Sequence, residues 1–149
     1  MMIIFTIIFL IIDIASKLVV SKFMDVYDSI VIIKDFFYIT YVRNTGAAWS
    51  IFEGEIFGIV IVSLMIISFI IYYIFKHKPK NKFEMLGYSF ILGGAFGNLL
   101  DRIIYGYVVD FLDFYIFGYD YPIFNLADCF ILVGVVILII YTWRCNDGD

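Results

Sequence analysis

Residues 56–82 read IFGIVIVSLMIISFIIYYIF followed at once by KHKPKNK. The first 20 of them carry no charge. At about 1.5 Å rise per residue they match a hydrocarbon core roughly 30 Å thick. The next seven hold Lys76, Lys78, Lys80 and Lys82, and short basic loops stay on the cytoplasmic side of a membrane. The stretch therefore predicts a transmembrane helix and its direction together.

Similar apolar runs lie at 2–22, 84–103 and 123–143. Four spans with the lysine loop inside put both termini in the cytoplasm, where Arg144 also falls, and turn residues 23–55 and 104–122 outward. The first and third runs carry polar residues and would score poorly on hydropathy alone. Asp13 and Lys17 interrupt the first, and no basic segment precedes it, so it is expected to be a retained span and not a cleaved signal peptide.

Composition agrees with this class. Of the 149 residues 64% are hydrophobic and only 16% charged, against roughly 25% charged in soluble domains. One membrane-embedded domain over 1–149 is expected, with no separate soluble unit. Net charge is -4 and no Lys/Arg stripe could neutralise phosphates, so nucleic acid is not an expected partner. His77 is the single histidine, which leaves imidazole metal clusters and a Cys-His nucleophile poorly supported; no cofactor or metal is expected. Cys129 and Cys145 belong to opposite ends of the last span, too far apart to bridge.

The outward segments are richer. Residues 30–43, IVIIKDFFYITYVR, are β-branched and aromatic with partial alternation, which predicts short strands in a small extracytoplasmic β-sheet. GAAWSIFEG at 46–54 suggests a short interfacial helix bounded by glycines. Tyr115, Phe117, Tyr119 and Tyr121 suit the headgroup zone, and Arg43 is expected at the interface.

The polar residues fall in constellations near the outer face. Asp13 and Lys17 are spaced i, i+4 and share a helix face; they form either an ion pair that offsets its own burial or part of a site, and the two readings are compatible. Asn98, Asp101 and Arg102 also share one face, just after Gly93, Gly94, Ala95 and Gly97, which permit close helix approach. Asn125 reads as a helix N-cap with Pro122 upstream, and Asp128 could complete a capping box. Asn44, in Asn-x-Gly, reads as a turn or as an amide offered to a substrate carbonyl. Asp113 and Asp120 read as ordinary loop charges facing water.

Asp110 and Asp128 stand out, because an ionisable group at a membrane edge costs several kcal/mol and persists mainly where function needs it. Two carboxylates in a dry site can share one proton and act as acid and base.

The segments DIASK (13–17), NTGAAWS (44–50), GGAFGNLLDR (93–102), GYVVDF (106–111) and FNLADCFILVG (124–134) resemble, in the family's own order, those of the lipoprotein signal peptidases, or signal peptidase II. Ser16 stands where that family often carries Thr, and the hydroxyl is kept. The resemblance implies an aspartyl endopeptidase of the bacterial cytoplasmic membrane with four transmembrane helices. It would remove signal peptides from prolipoproteins, cutting before a diacylglyceryl-modified cysteine at the outer face. Asp110 and Asp128 would be the catalytic dyad; Asp13, Asn44, Gly46, Asn98, Asp101, Arg102 and Asn125 would support or position it, with Lys17 in a structural role. Globomycin-type cyclic peptides would inhibit by occupying the site. Membrane lipid would surround a monomer.

Two rivals remain at this point. Acids in spans can relay protons in a small transporter, although transporter sites lie near the midplane between repeats, and no repeat is visible here. A noncatalytic membrane assembly factor would use the same polar residues for helix packing.

Overall fold

The computed structural model describes residues 1–46 and 54–146. Helix α1 spans Met2–Phe23, strand β1 Ser29–Ile33, β2 Phe37–Asn44, helix α2 Ile56–His77, α3 Lys82–Tyr105, β3 Val108–Ile116, β4 Tyr119–Asp120, and α4 Leu126–Asn146. The interfacial helix expected at 46–54 falls almost wholly on 47–53, outside the described residues.

Helices α1, α2 and α4 are each long and apolar enough to cross a membrane; contrary to the reading that the first run would score poorly, α1 has a mean hydropathy of 2.6, equal to α2, because its apolar residues outweigh Asp13 and Lys17. Their outward faces are bare hydrocarbon: Ile3, Ile4 and Ile7 on α1, Met65 and Phe69 on α2, Leu132 and Ile139 on α4 are all exposed. Only Ile67 and Ile74 of α2 are buried. Helix α3 differs. It is 24 residues long, but its polar residues are turned inward, and Glu84, Ser89 and Asp101 are buried. It runs through the middle of the bundle, packed against α1 and α4 with α2 alongside.

Glycine makes that position possible. A Cβ on Gly94 would collide with the carbonyl oxygen of Ala127 and stand 2.9 Å from Ile131 Cγ1; a Cβ on Gly97 would strike the Asp13 carboxylate. Gly94→Ala should therefore push α3 away from α4. Overpacking of this kind costs about 1–3 kcal/mol, so thermal unfolding in detergent should occur several degrees lower. An unchanged midpoint would mean that the helices separate without strain.

The ends of α3 are capped by local chemistry. Asn81 Oδ1 accepts from the Phe83 amide at 2.8 Å, and Gly106, at φ 75, closes the other end with its amide on the Arg102 carbonyl. That left-handed turn reverses the chain straight into β3.

The sheet is antiparallel throughout, in the order β1-β2-β3-β4. The sequence foresaw β1 and β2. It did not foresee β3, whose segment 104–122 read as an outer loop. The cause is burial: Val108 to Phe111 are all buried, so the alternation that marks a one-sided strand is missing. β2 carries an irregularity between Ile39 and Val42, beyond which Val42, Arg43 and Asn44 pair with Asp110, Val109 and Val108. A bulge re-aims the residues that follow it, and here it aligns Asn44 with the Asp110 end of β3.

Within the apolar run at 123–143, helix α4 begins at Leu126, as the N-cap reading of Asn125 requires, and 123–125 remain extended. The Leu112 amide donates to the Phe124 carbonyl at 2.7 Å and the Phe124 amide to the Leu112 carbonyl at 3.1 Å. The rings of Phe37, Phe114 and Phe124 stack behind this bridge at 4.4 and 5.7 Å. Together they pin the start of α4 to β3.

Candidate active site

The pinning brings Asp110 of β3 beside Asn125, the N-cap of α4. Asp110 is 2% exposed and Asn125 fully buried. Asn125 Nδ2 donates to Asp110 Oδ1 at 2.6 Å, and Asn44 Nδ2 donates to Asp110 Oδ2 at 2.8 Å. Both carboxylate oxygens are thus held by amides from two other elements. Asn44 also makes its turn, accepting from the Gly46 amide at 2.9 Å. Its side-chain NH2 has two N–H groups, of which Asp110 engages one.

Asp128 is tied to the same asparagine. Asp128 Oδ2 accepts from the Asn125 amide and Asn125 Oδ1 from the Asp128 amide, each at 3.1 Å. This is a reciprocal cap of the α4 N-terminus. Capping leaves the other oxygen in play: Asn98 Nδ2 donates to Asp128 Oδ1 at 2.8 Å, and Asp128 remains half-buried. The cap and site readings of Asp128 are therefore compatible. One asparagine joins both acids.

Lys17 orders the layer beneath. Its ammonium, 3% exposed, lies 2.8 Å from Asp13 Oδ2 and 3.1 Å from Asp101 Oδ2, and donates to Asn98 Oδ1 at 2.9 Å. Asn98 Oδ1 also accepts from Asn125 Nδ2 at 3.1 Å. With two donors on its oxygen, Asn98 must turn its NH2 toward Asp128. Asp13 accepts from the Ala127 amide at 2.9 Å and so grips α4 from α1. Asp101 accepts from the Val109 amide at 3.2 Å and grips β3 from α3. Ser16 donates to the Asp13 carbonyl at 2.7 Å, within α1.

Arg102 forms a further strut, donating to the Gly46 carbonyl at 2.9 Å and the Asn98 carbonyl at 3.2 Å. Arg43 is exposed, with its guanidinium 4.8 Å from the Tyr107 ring centroid. Every residue singled out from the sequence as a site candidate thus falls in one connected network.

Asp113 departs from its reading as a water-facing loop charge. It is buried on β3, where Oδ2 accepts from Thr40 Oγ1 at 2.6 Å. Thr40 in turn shares a 2.8 Å hydrogen bond with Ser29. Asp120 is exposed as expected. Thr40 and Asp113 sit 73 positions apart, and no local pattern announces a pair at that separation.

Residues 5–144 match the family described as Signal peptidase (SPase) II. The lipoprotein signal peptidase of Halothermothrix orenii is 42% identical over 144 residues, covering 97% of this chain and 96% of the relative. That of Clostridium novyi is 45% identical over 136 residues, covering 91% and 92%. A solved structure described as a bacterial membrane enzyme at 2.3 Å resolution superimposes with a TM-score of 0.91 at 36% identity, covering 99% of this chain and 90% of its own. The chain belongs to the signal peptidase II family. Nothing in these likenesses supports the transporter reading.

Within this family member, the acids sit in unequal surroundings. Burial pushes the Asp110 carboxyl up, and the nearby Asp128 charge pushes it further, to about 7, against the opposing hydrogen bonds of Asn44 and Asn125. A carboxyl raised from 3.8 to about 7 keeps its proton in the folded state after the unfolded chain has lost it. Stability should therefore decline as pH rises from about 4 to about 7 and level off above. Asp110→Asn should flatten that decline in detergent melts across this range; an equally steep variant would assign the dependence to another group.

Proposed function

We propose that this protein is an aspartyl endopeptidase that removes signal peptides from prolipoproteins, cutting before a diacylglyceryl-modified cysteine. Family membership supports the reaction. The observation that supports the aspartic mechanism is the coupling of Asp110 and Asp128 through Asn125. In this reading the whole chain forms one membrane-embedded peptidase domain, and α3 is the fourth span, its polar residues shielded by α1 and α4. The basic loop after α2 faces the cytoplasm with both termini. The sheet and both acids then lie at the outer face, where a membrane-spanning signal peptide presents its cleavage point.

Asp128, at the positive end of α4, acts as the ionised general base and takes a proton from the attacking water. Asp110, protonated, donates a hydrogen bond to the scissile carbonyl and stabilises the oxygen that becomes negative. The proton taken by the base passes to the leaving amine, so the pair returns to its singly protonated state. Asn125 and Asn44 hold Asp110, Asn98 holds Asp128, and Lys17, Asp13, Asp101, Gly46 and Arg102 hold these in turn. Globomycin-type cyclic peptides would compete for the same site, and a monomer suffices.

A diacylglyceryl-modified prolipoprotein, assayed by gel mobility in detergent, tests the reading. Cleavage should occur, and should be bell-shaped in pH, since the working pair carries one proton; the alkaline limb should fall near 7, where Asp110 ionises. A profile with one ionisation only would count against the shared proton. Activity should persist in EDTA, and loss in EDTA that zinc restores would overturn a mechanism based on two carboxylates.

A further inference from the structure

The bundle and the sheet enclose an apolar groove that the proposed mechanism does not use. It has a volume of about 520 Å³ and is walled by Val19, Val20 and Phe23 of α1, Ile30 of β1, Ile39 of β2 and Phe111 of β3. Pockets of about 300–1,000 Å³ take small organic molecules. Polar atoms contribute almost nothing to this lining, so a peptide backbone entering it would leave its amides unpaired. A hydrocarbon chain would not.

Two observations choose the hydrocarbon. First, the groove continues the exposed apolar face of α1, a helix able to cross a membrane; Val19 is 57% and Phe23 75% exposed. Its opposite wall, β1, is exposed along its whole length, with Ile30, Val31, Ile32 and Ile33 all uncovered. So broad an apolar surface is costly in water and is covered by hydrocarbon where α1 meets the membrane edge. Second, the groove lies behind the dyad. Successive residues of a strand point to opposite faces: Phe111 packs on Val20 and Tyr41, while Asp110 reaches Asn44 and Asn125. An acyl chain on a substrate held at Asp110 would have to cross β3 to enter.

We propose that this groove binds one acyl chain of a bilayer phospholipid, which wedges between α1 and the sheet and supports β3 from the side opposite the dyad. Lys22, whose ammonium stands 5.7 Å from the centroid of the Phe23 ring, places a positive charge at the rim, where it can meet the lipid phosphate.

The test uses the full chain in detergent, titrated with a phospholipid spin-labelled on its acyl chain. Wild type should show an immobilised component that saturates, and its thermal midpoint should rise as unlabelled phospholipid is added. Val19→Trp fills the groove, and Ala15→Leu narrows it with a smaller change that is safer for folding. Either should weaken the immobilised component by about ten-fold or more, equivalent to about 1.4 kcal/mol, and flatten the lipid dependence of the midpoint. Ile8→Trp, on the lipid-facing surface away from the groove, should leave both unchanged. If Ala15→Leu retains the label as wild type does, or if all three variants lose it equally, only general annular lipid is being read and the proposal fails. None of these readouts involves cleavage, so they stand or fall separately from the peptidase assignment.

Discussion

Asp110→Asn and Asp128→Asn should each remain folded and lose cleavage by about 10²–10⁴-fold, the range for deleting a positioned general acid or base. Each substitution keeps the side-chain shape and removes the ability to exchange a proton. The structural costs are small and can be located. In Asp110→Asn the new NH2 group faces either Asn44 Nδ2 or Asn125 Nδ2, both donors, so about one hydrogen bond is lost, roughly 1 kcal/mol. That loss is offset because a neutral amide is easier to bury than a carboxylate. In Asp128→Asn one arm of the α4 cap is weakened, since the Asn125 amide loses its charged acceptor, at about 0.5–2 kcal/mol. Cleavage and thermal stability measured on the same preparations separate the roles. A variant that cleaves at near wild-type rate identifies its acid as a cap or a packing group. Two variants that unfold would favour the assembly-factor reading.

The largest loss of stability should come from Lys17→Met. Its ammonium compensates two buried carboxylates, Asp13 and Asp101, and holds the orientation of Asn98. Removing one member of a buried ion network leaves the others uncompensated, at about 3–5 kcal/mol. Lys17→Arg should rescue poorly, because a planar guanidinium cannot place one compact charge among three acceptors that converge within 3.1 Å. Pairing Lys17→Met with Asp13→Asn should recover part of the loss, since one orphan charge goes with its partner. The check is reversible denaturation in mixed micelles, and a Lys17→Met protein within 1 kcal/mol of wild type, about the worth of a surface pair, would show that the network is solvated.

Such a network is only partly visible along the chain. The i, i+4 spacing of Asp13 and Lys17 foretold their pairing, and the i, i+3, i+4 set of Asn98, Asp101 and Arg102 foretold a shared face. Helix geometry guarantees both. That Lys17 also reaches Asn98, 81 positions away, or that Asp13 caps the Ala127 amide, 114 positions away, follows from no local pattern. The family resemblance named the residues of this network, without their connections.

The chain alone announces its membrane class, four long apolar runs, the first hairpin of the sheet and the identity of the polar residues near one end. It could do so because lipid demands long uncharged helices, and because helix and strand periods are local properties. Packing was needed to make β3 a buried strand, to enclose Asp113, and to stand Asn125 between Asp110 and Asp128. These depend on the Leu112–Phe124 bridge and on the close approach of α3 to α4 at Gly94. Contacts across such separations exist only once the elements have packed, and no periodicity in the chain encodes them.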